Sequence, residues 1–173
     1  MKLFEYLKSS NFGGVAMQNL RDRKYDDVEK MSRERLEQRP DDFLAVYMLA
    51  LVAYYRDQLE ISYQFYKRLC QLHKVKKKIQ QWFVKNLVAR RVYSEREYQS
   101  GQRWCAELVS LTAFREIRVE LLKYRCVCLD KLERYTEVVE VCRSLRDAGF
   151  EDKHVLEFEH RASERLRGDQ LVE

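Results

Sequence analysis

The chain has 173 residues, with 33 Lys and Arg set against 28 Asp and Glu for a net charge of +5. That length suits a single domain with a core of moderate size, and charge so evenly mixed reads first as solvated helical surface rather than a dedicated polyanion site. One proline, Pro40, and five glycines leave too few turn formers for a sheet protein, so the fold expected is all-α, with long helices joined by short polar links.

The N-terminal MKLFEYLKSSNFGG lacks the continuous apolar stretch of a secretory signal. Phe4, Leu7, Val15, Ala16 and Leu20 suggest a short helix, which Ser9-Ser10-Asn11 and Gly13-Gly14 are expected to interrupt. Beyond Pro40, Asp41-Asp42 is placed to cap a helix starting at Phe43. That helix carries VYMLALVAYY inside an uncharged run of thirteen residues, Phe43 to Tyr55. A spanning helix needs roughly 20 apolar residues and a strand rarely exceeds about 8, so the run reads as a soluble helix apolar on more than one face. Val46, Leu49, Ala50 and Ala53 make one stripe, and Leu44, Tyr47, Leu51 and Tyr54 a second.

Farther along, Ser94 and Glu97 have capping-box spacing before a helix at Tyr98. Thr112 precedes a helix from about residue 114 to 130, and Gly149 suits a helix end. Residues 151–167 place Val155, Phe158, Ala162 and Leu166 on one face, as a terminal capping helix would.

Internal periodicity ties these segments together. Tyr25, Leu59, Tyr98 and Tyr135 open equivalent helices and are separated by 34, 39 and 37 residues. Val28, Ser62, Gly101 and Val138 follow them in register, as do Met31, Phe65, Trp104 and Val141.

The pattern resembles the tetratricopeptide repeat family, whose units are antiparallel helical hairpins stacked into a right-handed superhelix. The best unit begins at Phe43, with Ala50 and Ser62 at small positions and Phe65-Tyr66 as its aromatic pair; Pro40 supplies a terminal proline for the unit before. Glycine is missing from the first small position throughout. On this resemblance the chain divides into an irregular first repeat (10–42), repeats at 43–75, 79–111 and 114–150, and the capping helix, about eight to nine helices in all.

The resemblance implies a concave groove lined by the first helix of each hairpin. Transferred to this sequence, it assigns Leu44, Tyr47, Leu51, Tyr54 and Tyr55 in the second unit, and Phe83, Asn86, Arg90, Tyr93 and Ser94 in the third. Counting the last unit from Val119 gives Glu120, Lys123, Val127, Asp130 and Lys131. A large exposed apolar stripe is rare on a soluble monomer, so the implied role is a non-catalytic adaptor or chaperone holding a peptide or helix of a partner protein. The N-terminal segment or a second copy could fill the same groove. Positions matching the carboxylate clamp of some relatives hold Gly13, Met17, Met48, Phe83 and Leu87, so that mode of recognition is not expected. Length and groove character bear a weaker likeness to the small chaperones of bacterial type III secretion.

Chemistry leaves few traces. His154 and His160 lie about 240° apart on a helix and do not make a metal face; Cys126 and Cys128 diverge similarly. No phosphate loop, zinc motif or nucleophile elbow is present in the sequence. Neither catalysis nor a cofactor nor a metal is expected. The five cysteines, odd in number, read as reduced packing thiols of a cytoplasmic protein. The alternative function is nucleic-acid or anionic-surface binding through Lys74, Lys76, Lys77, Lys78, Arg90 and Arg91.

Overall fold

A computed structural model of the chain describes residues 11–72, 76–150 and 153–169. Those residues form nine α-helices and two short π-helical segments, with no strand among them. The fold is all-α. Two compact units meet in sequence between Lys76 and Lys77.

The first unit contains α1 (Asn11–Arg21), α2 (Tyr25–Gln38), α3 (Phe43–Tyr55) and α4 (Leu59–Gln71). Contrary to the sequence expectation, α1 runs unbroken through Gly13-Gly14. Gly13, Ala16 and Leu20 are buried at helical spacing, and this packing overrides the cost of about 0.5–1 kcal/mol that each glycine imposes on a helix. Residues 1–10, which include Phe4 and Leu7, lie outside the described part.

Helix α3 is the core of this unit. Asp42 caps it, one carboxylate oxygen accepting from the Ala45 amide at 3.0 Å and the other pairing with Arg35 at 2.8 Å. Ten successive residues, Leu44 to Ala53, are buried, and α1, α2 and α4 all pack on the helix. A helix enclosed by three neighbours needs apolar groups all round, which explains its lack of charge. At its end, Arg56 reaches back to Asp26 and Glu29 of α2. The small position at Ser62 has a physical reason: its hydroxyl donates to the Ala50 carbonyl at 2.8 Å, so α3 and α4 touch closely there.

In the second unit, α5 (Lys77–Phe83) continues through π-helical segments Val84–Val88 and Arg90–Ser94. Then come α6 (Tyr98–Leu111), α7 (Arg115–Lys131), α8 (Tyr135–Asp147) and α9 (Lys153–Asp169). The capping box expected of Ser94 and Glu97 does not form, because Ser94 closes the second π segment and Glu97 makes no side-chain cap bond. Thr112 accepts from the Phe114 amide at 3.3 Å and donates to the buried Gln80 at 2.6 Å, fastening the entry of α7 to α5.

Helix turns repeat with the period read from the sequence. Arg23, Asp57, Arg96 and Glu133 all have positive φ, and each stands two residues before the start of a second helix. Behind Arg23, Asp57 and Glu133 the chain makes the same pair of bonds, one to the carbonyl three residues back and, from the next amide, one five back. This is the Schellman closure of a helix end. Gly149 repeats it after α8. In the third hairpin the closing bond runs from Glu97 to Arg91, one residue longer, as the preceding π turns require.

Within each unit, consecutive helices pack against one another, and α1 also packs on α3, α7 on the π segments, and α9 on α7. First helices of successive hairpins within a unit therefore touch.

Candidate protein-binding groove

Helix α7 has three obligations. Ile117, Leu121 and Cys128 are buried on one side, and Leu122, Cys126 and Leu129 join a core with Val138, Val141, Cys142 and Leu145 of α8. A third stripe runs along Glu116, Val119, Glu120, Lys123, Tyr124 and Val127, spaced by three and four residues, with Val119 itself buried in that core. It forms one wall of an open cavity of about 920 Å³. Opposite stand His154, Val155 and Phe158 of α9, with Phe150 from the preceding turn, while Tyr93 of the second π segment completes the lining.

The interior is mostly apolar and aromatic, and the charges at its edge are held. Tyr93, 58% exposed, meets Tyr124 edge-on with ring centres 5.7 Å apart. Burial pushes both phenols above their ordinary range, and the Tyr124 hydroxyl donates to Glu120 at 3.4 Å. Lys123 lies over the Phe150 ring at 4.3 Å. Glu116 pairs with Lys77 at 2.7 Å, and the hydrogen bond from Lys77 holds its carboxyl below the usual value. Arg115 donates to the carbonyls of Ala148 and Gly149. A volume of this size, with tyrosine and phenylalanine walls and both signs of charge at its edge, can take several side chains of a peptide.

Tyr93, Glu120, Lys123 and Val127 are the residues of the sequence-derived set that line this cavity. The others are placed differently. Leu44, Tyr47 and Leu51 are buried, and Phe83 is wholly enclosed, so the exposed apolar stripe expected on α3 and extended by Phe83 is not an open surface. Burial moves the Tyr47 phenol up to about 12. Tyr54 is half-buried against Tyr55, with ring centres 5.5 Å apart. Asn86 spends its amide on its own helix, donating to the Trp82 carbonyl at 2.7 Å. Arg90 lies 3.7 Å from Glu95.

Val155 and Phe158 are legible in the sequence only as the inner face of a terminal helix, and Phe150 carries no signal of its own. Their Phe and Val spacing does not distinguish a face that is covered from one that is half open.

The cationic set shares its charge with acids. Besides the Lys77 and Arg90 contacts, Arg91 pairs with Glu95 at 2.8 Å and covers the Trp104 ring at 4.7 Å. Lys76 and Lys78 are exposed, and Lys74 lies outside the described residues. His154 and His160 are exposed beside Glu157 and Glu164. Among the described residues no group of histidines, cysteines and carboxylates could hold a metal ion, and no helix is long and apolar enough to cross a membrane. No protein-family description, curated protein or solved structure matches the chain.

Proposed function

We propose that the protein is a non-catalytic binding module of tetratricopeptide-like design that holds an extended or helical segment of another protein between α7 and α9. The observation that carries this reading is the open cavity of about 920 Å³, walled by Val119, Tyr124, Val127 and Phe158 and flanked by the exposed Tyr93. Large, stiff aromatics with a polar tip are suited to such contacts. Recurrence of a positive-φ residue before each second helix, at the 34, 39 and 37-residue spacing, supports a stack of repeated hairpins. Five buried free thiols favour a reducing, cytoplasmic setting.

Selection of ligands from a random peptide library tests the reading with a defined probe. Selected peptides should share an apolar or aromatic centre, lose binding on Tyr93→Ala, and slow amide exchange in α7 and α9. Ligands indifferent to Tyr93, or protecting another surface, would contradict it.

A further inference from the structure

We infer that Cys126 and Cys142 form an oxidisable dithiol, a modification site in which a small peroxide converts two thiols of adjacent helices into an intramolecular disulfide. Their sulfurs lie 3.9 Å apart across the packed pair α7 and α8, already in contact. A disulfide needs them about 2.05 Å apart, a closure of about 2 Å that side-chain rotation can provide between neighbouring helices. Both residues are buried, Cys126 at 1% exposure and Cys142 at 0%, yet Cys126 also contributes to the wall of the cavity between α7 and α9. A molecule the size of hydrogen peroxide that enters the cavity comes up against Cys126. Cys70, Cys105 and Cys128 are buried too and line no part of this cavity.

The chemistry balances as two thiols and one peroxide giving one disulfide and two waters. The Cys126 sulfur attacks a peroxide oxygen, the O–O bond breaks, and the first water leaves, the thiol supplying a proton; Cys126 is then a sulfenic acid. The Cys142 sulfur attacks the sulfenic sulfur, forming the S–S bond and expelling its hydroxyl as the second water with the Cys142 proton. The S–H···S contact with Cys142, in which either sulfur can donate, and then burial push the Cys126 thiol up, which makes the first step slow. A thiol reductant reverses the bond by exchange. Closing it draws the Cys126 side chain further toward α8, and because Cys126 lines the cavity the groove is tied to redox state whether or not a peptide occupies it.

Treatment of the full native chain with hydrogen peroxide, followed by mapping of unreduced peptides by mass spectrometry, tests this. Cys126 and Cys128 share one tryptic peptide, so Cys126→Ala, Cys128→Ala and Cys142→Ala variants are compared, each first checked for native helicity and melting. The expected result is one linked peptide pair, lost in Cys126→Ala and Cys142→Ala and kept in Cys128→Ala, with a raised melting temperature that a thiol reductant returns to its starting value. Random pairings, linkage only after denaturation, or conversion of Cys126 to sulfinic acid without linkage would each overturn the inference.

Discussion

Lys123 of α7 holds its ammonium nitrogen 4.3 Å from the centre of the Phe150 ring, so a cation from one wall of the cavity closes over the aromatic that leads into the other. The contact couples the groove to the turn after α8. In a double-mutant cycle of Lys123→Ala and Phe150→Ala, chemical denaturation should show a coupling of about 0.5–1 kcal/mol. A coupling of zero would mean that the two side chains act independently.

Turn residues offer a test with the opposite sign. Arg23 and Glu133 hold positive φ without being glycine, and both are exposed. Removing the Cβ at either should relieve strain, and Arg23→Gly and Glu133→Gly are each expected to stabilise the chain by about 0.5–1 kcal/mol in urea titrations. Gly149→Ala should cost about 1–2 kcal/mol, since its φ is +70 and a methyl would lie 3.1 Å from Arg115.

Gly101 faces a different constraint. A Cβ there would sit 3.0 Å from both Cys128 and Val92, where α6 closes on α7 and the π segment. Alanine would gain up to about 1 kcal/mol of helix propensity but lose about 1–3 kcal/mol to overpacking. Net destabilisation of about 1 kcal/mol is expected for Gly101→Ala, and Cys128→Ala in the same chain should recover part of it.

Acid should weaken the first unit through Glu29. The hydrogen bond from Arg33, then that from Arg56, holds its carboxyl below the ordinary value of 4.5. The unfolded chain therefore takes up the proton first, and the contribution is complete above the unfolded value and lost as pH falls through the folded one. Partial exposure keeps it under about 1 kcal/mol. Glu29→Gln should lower stability at neutral pH and flatten its decline below about pH 4.5, as read from denaturation midpoints at successive pH values.

Much of the fold was legible because local rules and tertiary packing agree. Asp42 does cap α3, and the spacing of Tyr25, Leu59, Tyr98 and Tyr135 is the spacing of the positive-φ residues two places before them. Tertiary context decided the rest. Gly13-Gly14 looked like a break, but the buried face of α1 carries the helix through. The π turns around Asn86 and Tyr93 have no marker in residue type, and they leave Ser94 unable to cap α6. For Leu44, Tyr47 and Leu51, an apolar stripe records contact with apolar surroundings and does not say whose; here the residues are already buried. On α7 the repeat register pointed to Glu120, Lys123 and Val127, but nothing in residue type marked Val119 and Tyr124 as part of the same wall.

Binding at the groove is tested most directly by titrating a fluorescent selected peptide into wild-type protein and into Val127→Glu. Val127 is half-buried in the cavity wall and absent from the buried core around α7 and α8, so a carboxylate there should spoil the groove without unfolding the unit. Affinity should fall at least about tenfold, equivalent to about 1.4 kcal/mol, with the melting temperature unchanged and little dependence on moderate salt. Equal affinity in the two proteins, or a steep loss of wild-type affinity with salt, would contradict an apolar peptide groove between α7 and α9.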